Sequence, residues 1–153
     1  MPLLDFRILA ACSLLLAASS VGAQPPESID FENDLQPIFT RYGCTSGPCH
    51  GKARGQGGFQ LSLLGFDHDF DYNAITKDAR GRRIFAASPT QSLLLLKPTG
   101  AVPHGGGIRL QVDGPEYSTI LKWINEGMPR RVAAAPQLTN LVVEPELVTL
   151  ENG

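Results

Sequence analysis

Hydrophobic positions recur with helical spacing in two places along this chain. Phe31, Leu35, Ile38, Phe39 and Tyr42 fall on one face and predict a helix over residues 35–42. Pro37 is tolerated only in a first turn, which places the N-cap at Asn33 or Asp34. Gly43 ends this helix directly before Cys44. The second stripe is Tyr117, Ile120, Leu121 and Ile124, with Trp123 flanking it. Asp113, Gly114, Pro115 and Glu116 form its start signal, and Gly127 and Pro129 close it.

The pattern between these helices is weaker. Residues 72–79 predict a short helix with Asp71 as N-cap. The apolar run 92–97 is too short to classify by period. Residues 51–58 and 100–107 are glycine-rich loops. Residues 132–137 read as a linker. Residues 138–153 read as one or two strands, too few to bury a core of their own and similar to the opening of a further β domain. The predicted fold class is therefore all-α, with Gly-rich loops and a short C-terminal β tail.

At the N-terminus a run of about eleven apolar residues follows Arg7 and precedes Val21-Gly22-Ala23. Residues 1–23 read as a secretory signal, followed by a linker over 24–29 and a working domain over 30–131. Leu9-Ala10-Ala11-Cys12 also resembles a lipoprotein processing box; either way Cys12 belongs to export. No apolar run in the mature chain approaches the length of a transmembrane helix. The expected location is the periplasm or cell envelope.

Composition changes little in this picture. A hydrophobic share of 42% with 18% charged residues describes a globular chain. The net charge of −2 argues against a nucleic-acid binder, which would carry a basic stripe. Cysteine arithmetic changes more. Of three cysteines, the mature chain keeps Cys44 and Cys49, in an oxidising compartment.

The candidate chemistry is concentrated in Cys44-Thr45-Ser46-Gly47-Pro48-Cys49-His50. Two cysteines followed at once by a histidine is the arrangement that attaches a c-type haem. Two thioethers fix the porphyrin edge, and the histidine presents a nitrogen to the iron. The usual motif has two residues between the cysteines; here there are four. A disulfide between Cys44 and Cys49 is the competing reading. A zinc site is disfavoured because Cys49 and His50 are adjacent. Asp67, Asp69, Asp71, Asn73 and Asp78 have the spacing of a calcium loop, but Tyr72 stands where that loop needs glycine. His104-Gly105-Gly106-Gly107 has the form of an esterase oxyanion loop, but the chain lacks Gly-x-Ser-x-Gly.

A string of separate matches then resembles the planctomycete-type cytochrome c-like domains of bacterial multidomain exported proteins. It comprises residues 30–39, Gly43-Cys44, Cys49-His50-Gly51-Lys52, residues 58–63, Gly81-Arg82-Arg83, residues 92–97, residues 102–107 and residues 123–129. The resemblance covers about 100 residues, and the four-residue spacing occurs in a branch of that group. It implies an all-α domain carrying one covalent haem c (iron) on Cys44 and Cys49, with His50 as proximal ligand. It implies single-electron transfer to redox partner proteins of the cell envelope. In multidomain relatives such a segment can be followed by bacterial immunoglobulin-like domains, which the tail resembles.

The distal ligand stays open at this point. His104 is preferred, since a Met-Pro-Pro type sequence often stands in the resembled group where Val102-Pro103-His104 stands here. Met128 is the second choice and His68 the third. An open sixth site would suit a haem peroxidase-like enzyme instead. Arg80, Arg82, Arg83 and Arg109 are candidate partners for the haem carboxylates. Phe39, Phe59, Phe66, Phe85 and Trp123 are candidate crevice residues.

Overall fold

The computed structural model describes residues 28–144 apart from Lys52 and Ala134. The expected leader over 1–23 and residues 145–153 of the expected β tail lie outside that range. Among the described residues the regular structure is helical, with two isolated bridges, Gly51 to Leu61 and Gln56 to Phe59, and no sheet.

Helix α1 consists of a π-helical turn, Phe31–Leu35, running into an α-helical stretch, Gln36–Arg41. It starts earlier than its pattern predicts. Asp30, rather than Asn33 or Asp34, is the cap, and its carboxylate accepts from the N–H groups of Glu32 and Asn33. Pro37 explains the π turn: it has no N–H to give, and an ideal helix would press its ring on the carbonyl four residues back. The backbone widens instead, and the Gln36 N–H reaches the Phe31 carbonyl.

Helix α2 spans His68–Thr76. It too begins earlier than predicted, because Asp67 supplies the cap by accepting from the Phe70 N–H. Asp71, the expected cap, is fully buried inside the helix. Helix α3 is the short Leu93–Leu96, which settles the unclassified apolar run. Helix α4, Pro115–Asn125, forms where its stripe and breakers predict. Trp123 sits at the centre of its buried face and Leu121 at the margin, the reverse of the emphasis in the periodicity.

Phe31 joins the helices. Its ring lies 5.3 Å from Tyr72 of α2 in a T-shaped pair and 5.7 Å from Trp123 of α4. Leu35, Ile75, Leu95 and Ile120 complete the fully buried centre. Each such side chain contributes roughly 1.5–3 kcal/mol through removal of apolar surface from water. Arg130, just past α4, binds Glu32 and Asp69, each at 2.7 Å, and Arg131 pairs with Glu32. The end of the helical unit is thereby tied back to its beginning.

Residues 138–144 form no strand. Leu138, Leu141, Val142 and Val143 stand 65–85% exposed. A strand exists only against a partner that takes its N–H and C=O groups, and no neighbouring element offers them here.

Candidate functional site

The site is built around the turn that follows α1. Gly43 has a φ of +74°, which glycine accepts without cost, and it swings the chain away from the helix end. The Cys44 N–H then returns to the Phe39 carbonyl, and the His50 N–H to the Cys44 carbonyl. The Cys44–Cys49 segment is thus a closed loop whose ends lie side by side. Gly51 is wedged behind it: a Cβ there would stand 2.4 Å from the Thr45 carbonyl oxygen and 2.7 Å from that of Ser46. The Leu61 N–H bonds the His50 carbonyl and fixes the histidine from the other side.

These residues open onto a cavity of about 720 Å³, in the size range of small-molecule and cofactor sites. Cys44, Cys49 and His50 occupy one wall, and His104 reaches in from the loop after α3. The two cysteines are free thiols, with no disulfide between them. Burial, followed by the neighbouring Cys49, pushes the Cys44 thiol up to about 11.

The two imidazoles are near-parallel, 10° apart, with centroids 6.2 Å from each other. Each Nδ1 is engaged with a backbone carbonyl, His50 with Phe59 at 3.0 Å and His104 with Gly107 at 2.8 Å. A carbonyl only accepts, so Nδ1 carries the proton and, in the neutral ring, Nε2 keeps its lone pair. That arrangement makes a metal ligand of a histidine. Burial, outweighing the Phe59 hydrogen bond, lowers the pKa of His50, and the neighbouring His104 and Arg83 act in the same direction. Gly106 packs against the His104 ring so closely that a Cβ would stand 2.9 Å from Cε1.

The floor is apolar, with Phe39, Leu61, Leu94 and Ile120 among its residues. The rim carries Arg82, Lys97 and Arg109, the buried Arg83 also lines the cavity, and among the described residues no carboxylate does. Of the predicted cations, Arg80 stands outside the lining. Arg83 is a structural member: it is buried, bonds the carbonyls of Gly58, Ala74 and Asp78, and lies 4.3 Å over the Phe59 ring. Phe59 in turn lies 4.6 Å from His50. Of the predicted aromatics, Phe39 and Phe59 reach the cavity. Trp123 belongs to the core, and Phe66 and Phe85 are exposed.

Met128 does not line the cavity. Its side chain packs on the core, and its carbonyl accepts from the Tyr72 hydroxyl at 2.8 Å. His68 lies against Glu32 at 3.5 Å, away from the cysteines. The residues spaced like a calcium loop are engaged elsewhere. Asp67 caps α2, Asp69 binds Arg130, and Asp71 accepts from the Ser62 N–H, the Ser62 hydroxyl and the Gln36 amide. Among the described residues no group of three or more His, Cys, Asp or Glu side chains is arranged to hold a metal ion. No described helix is long and apolar enough to cross a membrane.

Sequence reasoning missed Lys97 and the leucines of α3 as part of the site. Their only signal was position, since they immediately precede the loop that carries His104. No family model, curated protein or solved structure matches the chain.

Proposed function

We propose that this chain is an exported cytochrome c-like domain that carries single electrons on one covalent haem. The observation that carries this reading is the convergence of Cys44, Cys49, His50 and His104 on one cavity with an apolar floor and a cationic rim. Two thiols on one wall suit two thioether bonds. Two imidazoles with free Nε2 atoms suit the two axial positions of one iron. The cationic rim suits a planar apolar group that carries two carboxylates.

The haem supplies the electron-transfer chemistry when bound; the chain holds, orients and shields it. Cys44 and Cys49 anchor it, and the turn closed by Gly43 and Gly51 sets their positions. His50 is the proximal ligand, with its ring orientation fixed by the Phe59 carbonyl. His104 is the distal ligand and is preferred to Met128, whose side chain is spent on the core. A second histidine tends to hold the potential low and leaves no open position for a substrate. The protein then acts as an electron carrier rather than a peroxidase, with cell-envelope redox proteins as partners.

The optical spectrum of the purified mature protein tests this. The ferric protein is expected to be low-spin, His104→Ala to become high-spin, and Met128→Leu to keep the parent spectrum. A His104→Ala variant that stays low-spin would refute the distal assignment. A colourless protein would refute the cytochrome itself and favour a haem-free binding module.

A further inference from the structure

The loop that carries His104 is fastened in an unusual way. Its base is closed by the Pro98 carbonyl, which accepts from the N–H groups of both Arg109 and Leu110 at 2.7 and 3.0 Å. The tip is exposed: Pro103, Gly105 and Gly107 face solvent, and no core side chain comes from the tip. Two side chains at the base of the loop reach its tip instead. Lys97 Nζ donates to the Pro103 carbonyl at 2.7 Å, and Arg109 Nε donates to the Gly106 carbonyl at 2.8 Å. Pro103 and Gly106 flank His104 on either side.

Lys97 and Arg109 also line the cavity. Each spends one N–H on the loop and has others left, two on the ammonium and four on the guanidinium. Among the described residues no carboxylate lines the cavity to take them. A surface Lys or Arg bonded only to a carbonyl carries an uncompensated charge, and here two such charges face an apolar floor. The complement is an anionic group brought in by the ligand.

We propose that Lys97 and Arg109 are positioning residues that clasp the His104 loop to the carboxylates of the bound haem. This rests on the haem reading above and adds a coupling to it. Seating the carboxylates and holding His104 on the iron become one event, so weakening the clasp loosens the distal ligand without touching it. Arg83 cannot serve in this way, because its guanidinium is committed to three backbone carbonyls within the body of the fold.

The test uses the haem-loaded wild-type protein with Lys97→Gln, Arg109→Gln, the double variant and Arg109→Lys. Two quantities are read: the rate at which carbon monoxide replaces the distal ligand of the reduced protein, and the midpoint potential. The double variant is expected to take up carbon monoxide at least several-fold faster than wild type. Its potential is expected to fall, because two positive charges near the iron are gone and the oxidised form is favoured. Each single Gln variant should lie between these, and Arg109→Lys, which keeps the charge, should restore the potential. Unchanged uptake overturns the proposal. Faster uptake with an unchanged potential also overturns it, since the two residues would then brace the loop without meeting the cofactor's charge. A wild-type protein that carries no haem overturns the underlying reading instead, and this is seen before any variant is made.

Discussion

Asp71 shows how much of this fold depends on single polar atoms. Its carboxylate is fully buried and holds the Ser62 N–H at 2.5 Å, the Ser62 hydroxyl at 2.7 Å and the Gln36 amide at 2.6 Å. These bonds lock the segment after the cysteine turn to α1 and α2. Asp71→Ala leaves all three donors buried and unpaired, so a loss of about 3 kcal/mol is expected in denaturant unfolding. A loss under 1 kcal/mol would contradict the network. Asp30 acts differently. Burial alone would raise its pKa, but the N–H groups of Val132, Asn33 and Glu32, with Arg131 nearby, hold it below the ordinary value of 3.8. A carboxyl depressed in the folded state stabilises at pH values above its unfolded pKa, and that stability is lost as pH falls through the folded value. Stability should therefore drop below about pH 4. Asp30→Asn should flatten this acid limb, and parallel acid limbs in the two proteins would count against the assignment.

Among the elements, the cysteine turn makes the sharpest demand on sequence. At Gly51 an added methyl group would meet the backbone oxygens of Thr45 and Ser46, whereas at Gly47, in the same turn, it would meet nothing within 4 Å. Gly51→Ala should cost about 1–3 kcal/mol in thermal or denaturant unfolding through overpacking, and Gly47→Ala should be close to neutral. Equal effects would show that the turn is looser than described. The helices differ in how legible they were. The α4 stripe was readable because its apolar spacing, Pro115 and Gly127 all agree. The starts of α1 and α2 were misread because several Asp and Asn residues compete for each cap. Tertiary contacts decide between them, burying Asp71 against Ser62 and giving the cap to Asp67. The π turn of α1 could not be read from spacing, since it is a backbone response to Pro37. That Cys44, Cys49 and His50 meet at one cavity was legible because the three lie within seven residues of each other. The rim was only partly so: Arg82 and Arg109 could be named, but Lys97 meets the cavity through loop closure over the Pro98 carbonyl, which leaves no periodic trace.

For the whole molecule, charge is distributed unevenly. The chain has a formal net charge of −2, yet among the described residues its cavity is lined by four cations and no carboxylate. The acidic residues Asp30, Glu32 and Asp69 instead tie Arg130 and Arg131 to the first two helices. One part of the fold thus uses its ion pairs for closure, while the cations at the cavity meet no lining carboxylate among the described residues. The proposed haem, joined to Cys44 and Cys49, is checked by a haem-stained denaturing gel. The mature protein is run beside a Cys44→Ser/Cys49→Ser variant, both expressed by export in a host that matures c-type cytochromes. Colour should migrate with the wild-type chain and be absent from the double variant. A wild-type band without colour, or colour that leaves the chain on denaturation, would contradict it.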